Sequence, residues 1–233
     1  MSRFNDESRS VLKLKSVLGC LPDEALDTLV QRARPTRFDK NQMLYRRGDK
    51  GDSLMVLLSG KVKVSNITDE AREAVLSFLG PGDLIGEIAA LDGKDRSADA
   101  TALEPTEAAV IYRRDMLAVL EKYPQALLGI VAVLASKLRM TSAMVEHGQL
   151  QMARKAALGL LRLAEQHGRE VDDGTRLDLK LSQRDLGSYL GLSRENTSRE
   201  LGRLREADLI RVDGGEIVIL DPEGLESWAA DTE

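Results

Sequence analysis

The segment DLIGEIAALDGKDRSADATA, residues 83–102, places four chemically distinct groups on either side of a short turn. The pair Gly86-Glu87 comes before the turn, and the pair Arg96-Ser97 follows ten residues later. An arginine offers a rigid fork of donors that matches two phosphate oxygens, and a serine hydroxyl adds a neutral donor. A carboxylate accepts hydrogen bonds, so beside a bound anion Glu87 suits a ligand hydroxyl. A phosphate and a sugar hydroxyl together indicate a nucleotide.

The alternative is that Glu87 and Arg96 form a surface ion pair across a hairpin, which contributes only about 0 to 1 kcal/mol. The spacing alone leaves both interpretations open. The wider segment GEIAALDGKDRSA, however, resembles the phosphate-binding cassette of cyclic-nucleotide-binding domains. The matching positions are Gly86, Glu87, Ile88, Ala89, Arg96, Ser97 and Ala98.

This resemblance implies a cyclic nucleotide as allosteric effector, with no metal. Glu87 would bind the ribose 2′-OH, and Arg96 and Ser97 would hold the cyclic phosphate. The later segment LRMTSAMV resembles the Thr-Ser segment of CRP/FNR regulators. It implies that Thr141 contacts the base in its own protomer and that Ser142 reaches the base from the second protomer. The expected ligand is cAMP, and cGMP stays open because a hydroxyl can donate to guanine O6.

Residues 123–148 have the pattern of one long helix with apolar side chains every three or four residues. Such spacing makes a seam for a partner helix, although a helix lying on its own domain has the same period. A hydroxyl on the seam is more useful beside a ligand than in a dry core, which favours a homodimer. The predicted interface residues are Leu127, Val131, Leu134, Leu138, Thr141 and Val145.

The order of the elements predicts an α+β protein. Short alternating strands separated by glycines, between about residues 36 and 113, indicate an antiparallel double sheet of the jelly-roll type, the β-roll. We expect a cyclic-nucleotide-binding β-roll at residues 1–122, a dimerisation helix and hinge at 123–150, and a winged helix-turn-helix at 151–233. A turn-rich loop is expected around Asp172 to Gly174.

The segment LSQRDLGSYLGLSRENTSRELGRLREADLI contains two helix caps in series. Ser182 with Asp185 opens one short helix, and Gly191 followed by Ser193 ends it and opens a second. Apolar residues on both can pack together, namely Leu186, Leu190, Leu201 and Leu204. The pattern predicts a helix-turn-helix rather than an ordinary helical hairpin, followed by a wing at Asp213-Gly214-Gly215.

The second helix begins with Arg194 and Glu195, and Arg199 follows one turn later. Arginine can bond to guanine N7 and O6, and glutamate can accept from cytosine N4, so these residues predict a surface that reads G and C. The helix also resembles the recognition helix of CRP/FNR regulators. That resemblance, at Ser193, Arg194, Glu195 and Arg199, implies inverted repeats of TGTGA-like half-sites in double-stranded DNA and RNA polymerase as a further partner. Asn196 and Thr197 depart from the family pattern. The predicted DNA-binding set is Ser193, Arg194, Glu195, Thr197 and Arg199.

The overall net charge of -5 is concentrated in a tail. Residues 153–233 contain 12 Lys and Arg against 17 Asp and Glu, but five of these acids come after residue 220. The helix-turn-helix itself is therefore not acidic, which permits DNA binding. The absence of a secretory signal and of a long apolar run indicates a cytoplasmic protein without membrane contact.

Three other functions compete with this prediction. A regulator of the same family that senses haem or redox state lacks support, because there is no N-terminal cysteine cluster and the single Cys20 suits a core position. An enzyme is disfavoured because two histidines, one cysteine and scattered serines form no catalytic set. A nucleotide-responsive protein-interaction module would leave the reading helix without a role.

Overall fold

The computed structural model describes residues 4–15, 18, 21–124, 127–147 and 151–231. Cys20 lies outside these residues. The chain divides into two compact units, which are residues 1–67 with 76–139, and residues 68–75 with 140–233. The division falls inside the long helix, whereas the sequence suggested a separate segment at 123–150.

Short helices and strands alternate along most of the chain. The helices are α1 Asp6–Ser10, α2 Asp23–Arg32, α3 Glu87–Asp92, α4 Arg113–Lys122, α5 Leu127–His147, α6 Met152–His167, α7 Gln183–Leu190, α8 Arg194–Glu206 and α9 Pro222–Asp231, with a π-helical turn at Val11–Lys15 after α1. The strands are β1 Arg34–Phe38, β2 Met43–Tyr45, β3 Ser53–Ser59, β4 Val62–Ile67, β5 Glu73–Leu79, β6 Leu84–Ile85, β7 Asp99–Ala102, β8 Thr106–Tyr112, β9 Gly168–Val171, β10 Gly174–Leu177, β11 Ile210–Asp213 and β12 Glu216–Ile219.

Two four-stranded sheets, in the strand orders β1-β8-β3-β6 and β2-β7-β4-β5, lie in the first unit except for the first three residues of β5. The pairs β1-β8, β8-β3, β3-β6, β2-β7 and β7-β4 are antiparallel. The core between them draws on both sheets and consists of Phe38, Met55, Leu57, Val62, Leu79, Ile85, Ala100, Ala102 and Ala108. The predicted antiparallel double sheet is confirmed.

Strand β3 is buried on both faces because successive side chains of a strand point in opposite directions. Met55 and Leu57 face the core between the sheets. Leu54 and Val56 face a second core, which the N-terminal helices, α4 and Ile130 of α5 also enter. The first half of α5 is therefore packed on the domain that carries the predicted cassette.

Among the elements that were not predicted from the sequence are α4 and the strands β9 and β10. Helix α4 has only ten residues and buries Met116, Val119 and Leu120, so its apolar period is too short to stand out between a strand and a longer helix. Strands β9 and β10 replace the expected loop around Asp172 to Gly174. Their residues are mostly polar and partly exposed, so alternation of hydrophobicity gives little signal.

The second unit combines α6 to α9 with a sheet of order β11-β12-β10-β9. The predicted wing is the hairpin of β11 and β12. Its two central residues, Gly214 and Gly215, have φ angles of 56° and 87°, which this type of tight turn requires. Asp173 accepts a hydrogen bond from Arg211, which lowers the pKa of that carboxyl and ties the two hairpins together.

Candidate nucleotide and DNA sites

Arg96 lies in the loop between α3 and β7 and is only 5% exposed. Its Nη1 donates to the carbonyl of Gly86 at 2.9 Å, and its Nη2 donates to the hydroxyl of Ser53 at 3.0 Å. Its Nε is also buried, and it has no hydrogen-bond partner among the described residues. A buried donor without a partner is energetically unfavourable and needs an explanation. A donor of this kind can bind an anionic ligand.

Gly86 allows the arginine to approach this closely. It has a φ of +78°, in the left-handed region that favours glycine, and it caps the N-terminus of α3. A Cβ atom here would overlap the Nη1 atom of Arg96 and lie 3.1 Å from its Cζ. The glycine is therefore required both by the backbone conformation and by the guanidinium.

Glu87, the first residue of α3, is 2% exposed and is paired with a lysine from α5. The Nζ atom of Lys137 lies 2.8 Å from Glu87 Oε1 and also donates to the carbonyl of Leu84 at 3.0 Å. Lys137 stands 50 residues further along the chain, and its role was not predicted from the sequence. This ion pair compensates the buried carboxylate and joins α5 to the cassette.

The other predicted cassette residues have different environments. Ile88 is 45% exposed and Ala89 is buried. Ser97, the residue that follows Arg96 in the chain, is exposed. Thr141 and Ser142 are exposed on the part of α5 that belongs to the second unit. Their roles toward the nucleotide base stay predictions.

Two side chains that were not predicted from the sequence also contact Arg96. One is Ser53 at the start of β3, and the other is Tyr45 at the end of β2, whose ring centroid lies 4.4 Å from the guanidinium carbon. A tyrosine and a serine are common in strands, and each is more than 40 residues from the arginine. No local sequence signal connects them.

The helix-turn-helix is formed by α7 and α8, and both predicted caps are present. The Ser182 hydroxyl accepts from the backbone N–H of Asp185 at 3.1 Å, and the Ser193 hydroxyl accepts from that of Asn196 at 3.2 Å. Gly191 ends α7 with a φ of +66°. The predicted apolar residues are buried, namely Leu186, Leu190, Leu201 and Leu204.

The side chains at the start of α8 divide into exposed and buried ones. Arg194 and Glu195 are exposed, and no hydrogen bond or ion pair joins either to another described residue. Arg199 is also exposed, and its Nη2 donates to the amide oxygen of Asn196. Thr197 is only 1% exposed, and its hydroxyl donates to the carbonyl of Ser193 at 2.9 Å.

Thr197 is buried because α7 and α8 approach closely at Gly187. A Cβ atom on Gly187 would lie 2.8 Å from the Thr197 hydroxyl oxygen and 2.9 Å from the carbonyl oxygen of Leu192. Ser193 is occupied as the cap. The geometry therefore gives Ser193 and Thr197 structural contacts, while the exposed members of the predicted DNA-binding set are Arg194, Glu195 and Arg199.

Helix α5 carries an apolar stripe that its own domain leaves uncovered. Leu127, Leu128, Val131 and Leu138 are 44%, 75%, 57% and 67% exposed. Leu134, a predicted interface residue, instead packs partly buried against the core of its own domain. Leu128 takes its place on the exposed stripe. Nothing is described of the Val145 side chain.

No three His, Cys, Asp or Glu side chains converge on a possible metal position within the described ranges. None of the helices there has the length and hydropathy that a bilayer crossing requires.

Comparison with known families identifies the class of protein. The cyclic nucleotide-binding domain matches residues 35–123, and the Crp-like helix-turn-helix domain matches residues 154–228. These matches define a DNA-binding transcription regulator with a cyclic-nucleotide-binding domain. With the relatives described next, they show that the chain belongs to the CRP/FNR family.

The relatives match over most of their length. The cyclic AMP receptor protein of Thermus thermophilus is 30% identical over 91% of this chain and 94% of its own. The transcriptional activator protein Anr of Pseudomonas protegens is 31% identical over 85% and 81%, respectively. The structure of FixK2 from Bradyrhizobium japonicum has the same fold, with a TM-score of 0.76 at 22% identity over 86% of this chain and 99% of FixK2. One of the two relatives is named for cAMP and the other is not, so family membership alone does not identify the effector.

Proposed function

We propose that this protein is a homodimeric, cytoplasmic transcription regulator that binds inverted-repeat DNA in response to cAMP. The observation that carries the proposal is that the cassette contains a buried donor, on Arg96, and a buried carboxylate, on Glu87. The unpartnered Nε of Arg96 suits a phosphate oxygen, and the carboxylate of Glu87 suits a ribose hydroxyl. A cyclic nucleotide supplies both.

The choice of cAMP over cGMP rests on less. Ser97 is followed by Ala98, so the cassette lacks the additional threonine that guanine-selecting domains often have. A 30% identical relative is named for cAMP. We propose that Thr141 and Ser142 read the purine, one from each protomer. Because hydroxyl groups can serve either base, cGMP is the second candidate effector.

Helix α5 offers a route from the ligand to the DNA-binding unit. Lys137 on this helix is bonded to Glu87, the residue proposed to bind the ribose. Thr141 follows one turn later on the same helix. A ligand that changes the Glu87 contact would therefore bias the position of α5. Coupling between sites is typically about 1 to 3 kcal/mol, or roughly a 5- to 150-fold gain in DNA affinity.

At the DNA, we propose that Arg194, Glu195 and Arg199 contact base edges in the major groove of TGTGA-like half-sites. Ser193 and Thr197 support the helix start and place these three side chains. RNA polymerase is the expected protein partner at promoters.

The experiment that tests the function is a titration of cAMP and of cGMP into the purified protein, with and without a palindromic TGTGA duplex. We expect cAMP to bind more tightly than cGMP and to raise DNA affinity about 5- to 150-fold. If cGMP binds more tightly than cAMP, cGMP rather than cAMP is the effector. Ligand-independent DNA binding with no affinity for either nucleotide would favour a regulator that senses another signal.

Dimerisation through α5 predicts that a charge on its exposed stripe separates the protomers. In a two-fold symmetric dimer the same residues of both protomers form the interface. Leu138→Asp therefore places two uncompensated carboxylates in the interface. Like charges in an interface cost several kcal/mol. We expect the dimer dissociation constant, measured by analytical ultracentrifugation, to rise at least about 100-fold.

The matched control is Ser136→Asp, which adds the same charge to an exposed polar position on the same helix. It should leave the dimer intact. If Leu138→Asp dimerises as tightly as Ser136→Asp, the dimer contact lies elsewhere.

A further inference from the structure

We propose that Tyr45 is a positioning residue for the phosphate-binding arginine, because its ring fixes the plane of the Arg96 guanidinium. The proposal rests on the proposed function, in that the anion bound by Arg96 is the cyclic phosphate. The ring centroid lies 4.4 Å from Arg96 Cζ, well within the range of a cation–π contact.

Three contacts together determine the orientation of this guanidinium. The Tyr45 ring covers one face, the Gly86 carbonyl binds Nη1, and the Ser53 hydroxyl binds Nη2. The Nε atom remains buried and unpartnered among the described residues. The ring thus restrains the plane while leaving this donor available to an oxyanion. An arginine that is ordered before the ligand arrives loses less rotamer entropy on binding, which favours affinity.

The backbone sets the distance between the two side chains. Tyr45 pairs with Ala100 across the β2–β7 ladder. Further along, Gly48 donates to the carbonyl of Arg96 at 2.9 Å, and Arg96 donates to the carbonyl of Asp49 at 2.8 Å. Ring and guanidinium therefore project from neighbouring, hydrogen-bonded segments. Both backbone segments are therefore held next to each other by these hydrogen bonds.

The phenol stays neutral in this position. Burial raises the pKa of Tyr45, although the nearby charge of Arg96 acts in the opposite direction and Glu87 adds to the increase. A phenolate would form an ion pair with the guanidinium and compete with the ligand phosphate. A neutral ring stabilises the Arg96 guanidinium through the ring face, and the positive charge of the guanidinium stays available to bind the ligand phosphate.

The test compares Tyr45→Leu, which removes the aromatic face, with Tyr45→Phe, which keeps it. Calorimetry would measure affinity for cAMP and for adenosine, which has the base and ribose but no phosphate. We expect Tyr45→Leu to weaken cAMP binding about 2- to 30-fold, the range for a cation–π contact, and to leave adenosine binding unchanged. Tyr45→Phe should bind both ligands like the wild type.

Two results would overturn the proposed role of Tyr45 without affecting the proposed function. One is wild-type cAMP affinity in Tyr45→Leu, and the other is an equal loss for cAMP and adenosine, which indicates a general change of the pocket. Tyr45→Met provides a second non-aromatic variant if thermal unfolding shows that Tyr45→Leu is poorly folded. A wild-type protein that binds neither cyclic nucleotide overturns the proposed function itself.

Discussion

Replacement of Arg96 by alanine is expected to weaken cAMP binding about 100-fold or more, as measured by calorimetry. Each hydrogen bond between a guanidinium and a phosphate contributes about 1.5 to 3 kcal/mol, and a bidentate contact supplies two of them. Alanine also leaves the ligand charge in a buried site without a counter-charge. Ligand-dependent DNA binding should be lost as a consequence.

The loss has to be separated from damage to the fold, because Arg96 also donates to Gly86 and Ser53. Arg96→Lys keeps the charge but not the fork of donors, and we expect it to lie between the wild type and the alanine variant. Arg37→Ala is the control, since it removes an arginine of the same unit whose ion pair is with Glu107 on β8. Wild-type affinity in Arg96→Ala, with an unchanged melting temperature, would refute the assignment.

The cassette was predictable because its information is local. Gly86, Glu87 and Arg96 lie within eleven residues, and a turn at Gly93 with a φ of +75° brings the two ends together. Lys137 and Tyr45 were not predictable in this way. The contact of Lys137 depends on how α5 packs on the antiparallel double sheet, and that of Tyr45 depends on the register between β2 and β7. Both are long-range properties of the fold.

The interface helix shows the same limit in another form. A period of three and four residues identifies an apolar helix, but it does not determine which side faces the protomer's own core. Ile130 and Leu134 pack against the core beside β3, and Lys137 bonds to Glu87, so these three residues fix the rotation of the helix about its axis. That rotation turns Leu128 outward and places Leu134 on the inner side. The exposed apolar stripe therefore includes Leu128 and leaves out Leu134, and the dimer interface itself stays a prediction.

In the helix-turn-helix, the caps were predictable and the burial of one hydroxyl was not. Serine and glycine at helix ends act through nearby backbone groups, so Ser182, Gly191 and Ser193 could be assigned from sequence. Thr197 looks like a polar residue on a reading surface. It is buried because Gly187 on the preceding helix lets the two backbones approach, a contact that only the packed structure reveals.

Replacement of Glu195 by alanine is expected to remove the preference for one base pair in each half-site. Glu195 is exposed in the first turn of α8, and none of the described residues forms a hydrogen bond or ion pair with it. Its carboxylate can accept a hydrogen bond from cytosine N4, and such a contact gives about 1 to 3 kcal/mol of discrimination. The preference, roughly 5- to 150-fold per half-site, should disappear in a selection from duplexes with that position randomised.

The substitution also removes a negative charge close to the phosphates, so total DNA affinity is a poor measure of its effect. Non-specific binding should become tighter because repulsion is removed, while specific binding loses the cytosine contact. Glu206→Ala separates the two effects, because it removes the same charge from the exposed C-terminal end of α8. This control should keep the base preference. If Glu195→Ala selects the same half-site as the wild type, Glu195 does not read that base, and the specificity must come from the neighbouring arginines.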